Sequence, residues 1–324
     1  MPHEIRFASF NVLNLALPHS RFYENQSPYS IAQYDAKISW LAAQLDRLDA
    51  DVIGLQEIFS QAALTDVLAR TRNYRDAHQI GFDPLAEVFP LTPSVALISR
   101  LPLAGAPQSH SRLPRGLSVV LPGVTEPMTH FTRPILQAEL CLPRRGRLCV
   151  FVAHLKSKRP DWLQQRSFEG DPAELAEASL RSLIRRGTEA LGLRHLVTDQ
   201  RMAGTQPIAV LADFNDVATA VTTQLVMGGT WRDGIGSDQR LFDSVQIQTQ
   251  PETGAQAYTH QHDGASETID HVLLSEEFNA ASPRAIGQVL QVRYLNAHLA
   301  LRPEAASDHG QVLVRVALHD TAPR

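Results

Sequence analysis

The sequence predicts an α/β protein, and two observations carry that expectation. Short apolar runs of strand length recur along the chain, and several stop abruptly on a carboxylate, carboxamide or imidazole. Ile208–Ala212 runs into Asp213-Phe-Asn215-Asp216, and Val150–Ala153 runs into His154. Between such runs lie segments whose apolar residues repeat at helical spacing. Neither a linker nor an internal repeat divides the chain, so residues 1–324 are read as one domain, with a loop-helix insertion at about 157–205.

Strand ends of this kind are unusual for stability, because a carboxylate is costly to desolvate without a cationic neighbour. An oxygen-rich cluster suits a hard divalent cation, or a water molecule to be activated. One such strand end alone reads as an Asx turn. Five further stretches repeat the design: Ile5–Asn11, Asp51–Glu57 with Gln56 beside Glu57, Val150–His154, Thr268–Leu274 with Asp270 inside the strand, and Ser307-Asp308-His309 before the strand Gln311–Val316. Open α/β sheets collect their ligand groups at strand ends.

The other elements follow in order. After Asn11 a polar loop runs to about Ser30. Ile31–Leu48 reads as a helix with Ile31, Ile38, Leu41, Leu45 and Leu48 on one face, and with Lys37, Gln44, Asp46 and Arg47 between them. A second helix is expected over Gln61–Arg70 and a strand over Ser94–Ser99; the Pro/Gly-rich stretch Leu103–Pro127 is expected to be loop with at most short strands. Phe131–Leu142 and Leu148–His154 read as a hairpin. Asp171-Pro172 opens a long helix, Ala173 to about Thr198, with Asp as the N-cap and Pro at the first position.

Composition narrows the class. The chain has 324 residues, 44% of them apolar, and a net charge of −4 that does not by itself suggest a nucleic-acid binder. The N-terminus has no basic segment followed by an apolar one, and no apolar run approaches the roughly 20 residues of a membrane span, so a cytoplasmic monomer is expected. The two cysteines, Cys141 and Cys149, would lie opposite each other in a symmetric hairpin; free thiols are expected in such a compartment.

Taken together, Asn11, Gln56-Glu57, His154, Asp213-Phe-Asn215, Ile-Asp270-His and Ser-Asp308-His309 resemble, in order and over nearly the whole chain, the endonuclease/exonuclease/phosphatase superfamily. His154-Leu-Lys156-Ser157-Lys158, and Tyr258-Thr-His260 followed by Ile-Asp270-His271, are similar to its bacterial extracellular nuclease branch. The resemblance implies a four-layer sandwich of two mixed β-sheets flanked by helices, with the active-site groups at one edge. It implies Glu57 as the first ligand of Mg2+ or Mn2+, with Asn11 and Asp308 completing or orienting that site.

For phosphoester hydrolysis, Asp213 is then the candidate to orient and deprotonate the attacking water, and Asn215 to hold that water or a phosphoryl oxygen. His309, oriented by Asp270, would stabilise charge on the phosphate; His154 would protonate the leaving oxygen or bind the phosphate. Arg133, Lys156, Lys158 and Arg159 are the candidate substrate contacts. Most of the 13 histidines need no role. His271 should point to the face opposite Asp270 and be structural; His260 and His262, in the preceding loop, could approach the substrate, with the uninvolved reading favoured.

The stretch Arg144–Arg186 carries ten Lys/Arg against five acids, and reads either as a solvated face or as a polyanion-binding rim beside His154. Three functions stay open: a metal-dependent nuclease acting on DNA or RNA, which is preferred; the same chemistry on a phospholipid head group, inositol phosphate or nucleotide; and a non-catalytic binding module.

Overall fold

The computed structural model describes residues 3–23, 26–84, 91–143, 145–163, 171–204, 206–229, 239–252 and 257–319. The first half of the chain runs β1 (His3–Leu15), α1 (Ile31–Leu48), β2 (Val52–Ile58), α2 (Gln61–Arg70), β3 (His78–Gly81), β4 (Ser94–Ser99) and β5 (Gln108–Arg112). β6 (His130–Leu142), β7 (Gly146–His154), α3 (Pro172–Ala203), β8 (Ile208–Asp213), α4 (Val221–Met227), β9 (Leu241–Asp243) and α5 (Ser244–Ile247) follow. The chain closes with β10 (His260–His262), β11 (Ala265–Glu267), β12 (Asp270–Ser275), β13 (Gly287–Leu295), α6 (Ala297–Leu301) and β14 (Gln311–Leu318).

These strands form two six-stranded mixed sheets, in the orders β13-β14-β1-β2-β4-β3 and β5-β6-β7-β8-β12-β9, and a separate β10-β11 ribbon. Each large sheet contains one parallel pair, β1 with β2 and β7 with β8. A parallel pair cannot be joined by a tight turn and needs a crossover. α1 and α3 supply the two crossovers.

Packing follows from burial on both faces. Phe7, Leu97, Val152, Leu211, Val272 and Val314 belong to the apolar layer between the sheets. β4 and β8, each paired on both sides, are buried along their whole length. At Gly54 on β2 an added Cβ would stand 2.5 Å from the Cβ of Leu211, so the sheets approach there by the absence of a side chain. α1 and α2 cover the outer face of the first sheet through Ile38, Leu41, Leu45, Leu64 and Val67, and α3 and α4 cover the second through Leu193, Val197 and Val226. The four-layer sandwich is as expected.

Local signals explain the helix limits. Ser30 and Gln33 form a reciprocal capping box at α1, and Asp49 ends it in the left-handed conformation. Asp171 caps α3 by accepting from the Ala173 N–H, and α3 continues to Ala203, past the expected end.

Three sequence expectations are corrected. Lys37 lies on the buried side of α1 and not between its apolar positions toward solvent, at 3% exposure, with its Nζ 6.0 Å from the centre of the Tyr29 ring. The β6–β7 register pairs Cys141 with Arg147 and Glu139 with Cys149, so the cysteines are offset and not opposite each other; both are free thiols, as expected. Asp270 is the first residue of its strand, where it pairs with Asp213. No helix among the described residues is long and apolar enough to cross a membrane.

Candidate active site

The ends of β1, β2, β7 and β8, the start of β12 and the segment before β14 meet at one edge of the sandwich. Bends in the backbone direct the groups there. Leu13, Asn14, Glu57 and Asn215 all have positive φ, between 54° and 64°, a region that non-glycine residues enter at a cost on the order of 1 kcal/mol. Register shifts in β1 beyond Asn11 and in β2 around Glu57 accompany the bends. Such irregularities re-aim side chains at the end of a strand.

Asp213 is the hub. Its Oδ1 accepts the Asn215 N–H at 2.8 Å, and its Oδ2 accepts the Asn11 carboxamide Nδ2–H at 3.0 Å. The same Oδ2 lies 3.4 Å from His154 Nε2 and 3.9 Å from His309 Nε2. Burial, together with the neighbouring charge of Asp270, lifts the Asp213 carboxyl to about 7. His309, the Asn11 amide and the Asn215 N–H oppose that rise.

His309 is held from three sides. Its Nδ1 lies 2.8 Å from Asp270 Oδ2, its N–H donates to Ser307 Oγ, and its carbonyl accepts from His298 Nε2 at 2.8 Å. Ser307 Oγ–H in turn donates to the Asn11 carbonyl at 2.6 Å. Burial alone would push the imidazole toward neutrality, but the charges of Asp270 and Asp213 outweigh it and hold His309 well above its ordinary value.

His154 behaves oppositely. Its burial, reinforced by the positive charge of Arg133, His309 and Lys156, depresses its pKa well below the usual value. A neutral imidazole at neutral pH is better suited to donating one hydrogen bond to a phosphoryl oxygen than to protonating a leaving group.

The oxygen donors fit a hard cation. Glu57 Oε2 accepts the Asn14 N–H at 3.0 Å, while Oε1 accepts the Asn11 Nδ2–H at 3.2 Å. Asn11 Oδ1 is used by the Leu13 N–H. The amide thus orients Glu57 and Asp213, the orienting role expected of Asn11. Asn14 borders the cavity, and its buried Oδ1, which has no hydrogen-bond partner, could serve as a further oxygen ligand. Asp308 is exposed to the same cavity. Beneath them burial lowers the Lys37 ammonium to about 8, against the attraction of Glu57 and Asp308. Two groups of His and carboxylate atoms lie within 4.8 Å of one another, His260/Asp308/His309 and Asp213/Asp270/His309; Glu57 belongs to neither. One or two carboxylates with retained waters is the usual way Mg2+ is held.

A cavity of about 750 Å³ opens over these groups, a volume in the range of small-ligand sites. Arg133 borders it, with Nη1 donating to the Leu155 carbonyl that also accepts Asn215 Nδ2. Arg159 borders it without an ion-pair partner among the described residues. Lys158 borders it too, but its ammonium is paired with Glu267 at 2.9 Å and lies 3.7 Å from Asp216. Lys156 is a correction: its Nζ folds back onto the Arg159 carbonyl at 2.9 Å, outside the cavity lining, and burial beside Arg133 lowers it to about 8.

The expected basic rim is largely neutralised from within. Arg147 pairs with Glu139, Arg185 with Asp161 and Arg186 with Asp216. Arg144 and Arg166 lie outside the described residues.

Two supporting residues escaped the sequence reading. Buried Glu189 on α3 accepts the Thr132 N–H at 2.8 Å and the Lys156 N–H at 2.7 Å, tying the strand of Arg133 to the segment after His154. Nothing in a helical Glu announces this. His260 is the other: the favoured expectation leaves it uninvolved, yet its ring centre is 4.9 Å from that of His309 and it borders the cavity. His271 is structural as expected: Nδ1 lies 2.8 Å from Asp243, Nε2 lies 3.0 Å from the Asp216 carbonyl, and the ring stacks on Phe214.

A sequence model described as Endonuclease/Exonuclease/phosphatase family matches residues 8–309. No curated protein matches the chain. Among solved structures, an endonuclease/exonuclease/phosphatase family protein from Bacteroides thetaiotaomicron is similar over 100% of this chain and 98% of its own, with a TM-score of 0.62 and 15% identity. A mannosyl-6-phosphatase from the same organism matches over 97% and 100%, with a TM-score of 0.58 and 15% identity. A humanized D. rerio TDP2 matches over 97% and 98%, with a TM-score of 0.57 and 14% identity.

Proposed function

The chain belongs to the endonuclease/exonuclease/phosphatase family, and from that membership and its site we propose that it is a divalent-metal-dependent phosphoester hydrolase. The observation that carries the reading is the approach of His154 Nε2 and His309 Nε2 to one oxygen of buried Asp213, at 3.4 and 3.9 Å. A carboxylate raised to about 7 is matched to taking a proton from water near neutral pH. Asp213 Oδ2 accepts that proton, and Asn215 positions the water. His309, cationic through Asp270 and Asp213, donates its Nε2–H to a phosphoryl oxygen as charge builds there. Neutral His154 donates a second hydrogen bond, and Arg133 adds positive charge at the cavity wall. Mg2+ or Mn2+, held by Glu57 and Asp308 with Asn14 beside them, would neutralise phosphoryl and leaving-group oxygens.

The substrate reading turns on charge and volume. A cavity of about 750 Å³ whose neighbouring Lys158, Arg185 and Arg186 are internally paired supports a small phosphorylated substrate, such as a nucleotide, inositol phosphate or phospholipid head group. A second reading, hydrolysis of DNA or RNA, is supported by Arg133 and Arg159 at the cavity, which suit contact with a backbone phosphate. A panel of linear DNA, circular DNA, RNA, lysophospholipid, a nucleotide and bis-p-nitrophenyl phosphate, each with Mg2+, Mn2+ or EDTA, tests both. Metal-dependent cleavage of the small esters with none of nucleic acid supports the first; cleavage of nucleic acid supports the second. Full activity in EDTA overturns the common chemistry.

A further inference from the structure

We propose that His260, Asp308 and His309 form a binding site for a borderline transition-metal ion, Zn2+ in the first instance, distinct in donor type from the oxygen-rich Glu57 site, and that occupancy of it inhibits the enzyme. Ligand atoms of the three residues lie within 4.8 Å of one another. A tetrahedral Zn2+ with bonds of about 2.0–2.1 Å places its ligand atoms about 3.3 Å apart. Closing the difference asks for at most about 1.5 Å of shortening at any contact. Exposed Asp308 and half-buried His260 have the freedom to supply it.

The backbone brings the two imidazoles together. His260 and His309 are joined by an isolated antiparallel bridge, and the Gly310 N–H donates to the Thr259 carbonyl at 2.6 Å. His309 is also prepared as a ligand. Its Nδ1 is engaged by Asp270 at 2.8 Å, which leaves Nε2 as the nitrogen able to ligate. A carboxylate behind a ligating histidine is the usual arrangement that fixes the ring and raises its basicity. The Thr259 hydroxyl oxygen accepts from Ile269 and Asp270 N–H, which ties the start of the ribbon to the backbone that carries the carboxylate.

Two imidazoles and one carboxylate suit Zn2+, Co2+ or Ni2+ over Mg2+, which prefers oxygen ligands. Three protein ligands leave a coordination position toward the cavity. Coordination would occupy His309 Nε2, the same atom that would contact the phosphoryl oxygen, so the ion and the substrate contact exclude each other. Asp308 is drawn from the oxygen-rich site as well. The inhibitory part of the proposal rests on the hydrolase reading; the binding part does not.

The test is calorimetric titration of the full-length protein with Zn2+, and with Co2+ followed by its visible absorption, in wild type and His260→Gln. His260 sits in a half-buried ribbon, and unchanged far-UV circular dichroism checks that the variant folds; His260→Asn serves as the second variant. Zn2+ affinity is expected to fall at least tenfold in both variants, with loss of the intense four-coordinate Co2+ bands, while Mg2+ affinity changes less than twofold. In parallel, the Zn2+ concentration that halves bis-p-nitrophenyl phosphate hydrolysis at fixed Mg2+ should rise at least tenfold. Equal Zn2+ affinity in wild type and both variants overturns the site. Weakened binding with unchanged sensitivity to Zn2+ overturns the inhibitory role. If wild type hydrolyses no phosphoester, the hydrolase reading and with it the inhibitory role fall, while the binding measurement still decides the site.

Discussion

His309 Nδ1 stands 2.8 Å from Asp270 Oδ2, and neither side chain is more than 8% exposed. The pair therefore interacts where water screens it little, and the direction of its effect on the imidazole can be predicted. Burial favours the neutral ring; the anion beside it favours the cation, and here the anion prevails. Asp270→Asn removes that charge and keeps the shape. The His309 pKa should fall, and since the cation is the working form, the basic limb of the pH–rate profile should move to lower pH. His309→Ala should be the more damaging change. A limb that stays in place at saturating metal contradicts the pairing.

Asp213→Asn should separate activity from stability. Loss of the base is expected to lower kcat by about 10²–10⁴. The stability effect has the opposite sign. The folded carboxyl titrates at about 7, against about 3.9 when unfolded, so the folded state binds the extra proton between those values. Wild-type stability from this group then decreases as pH rises through that window, and the variant escapes the loss. Urea unfolding should find the variant more stable than wild type by on the order of 2 kcal/mol at pH 8, with the difference shrinking toward pH 4. Equal stability at both pH values would show that Asp213 is not strained by burial.

Glu57→Gln should weaken Mg2+ binding at least tenfold and leave the unfolding midpoint nearly unchanged in EDTA. Asn14→Ala should also weaken it, because the Asn14 N–H that supports Glu57 survives while the orphaned Oδ1 is lost. Calorimetry with Mg2+ and Mn2+ measures both. Binding unchanged in Glu57→Gln sinks the assignment of that ligand.

The two cations at the cavity should differ. Lys158 is tied to Glu267, whereas Arg159 has no ion-pair partner among the described residues. Arg159→Ala should raise KM for an anionic substrate severalfold, and Lys158→Ala much less. If the substrate is a nucleic acid, Arg159→Ala should also reduce the log–log salt dependence of binding by roughly 0.7–0.9. A larger effect from Lys158→Ala would reverse the ranking.

Several features of this protein were legible in the chain alone. α1, α2 and β4 fell within their expected limits because apolar runs and periodicity, the Ser residues before the two helices and the Pro102 stop after β4 are local signals. The site groups were visible because a strand of apolar residues ending in Asp213 or His154 conflicts with simple stability. Short or polar pieces were not visible. β3, β9, β10 and β11 have three or four residues each, and pairing partners, not composition, make them strands.

Only the tertiary structure decided which polar atoms are occupied. Lys37 was hidden in the sequence as an ordinary helix charge, and Lys156 as a substrate contact. Burial of the first, and the Arg159 carbonyl beside the second, are set by segments distant in sequence or by a loop's turn. Charge counts along the chain likewise suggested a basic rim, but Asp216 stands 30 residues from Arg186 and cancels it in space. The residue types that do chemistry are a property of the sequence. Their protonation and availability depend on distances of a few ångströms between elements, because Coulomb and desolvation energies vary steeply over that range.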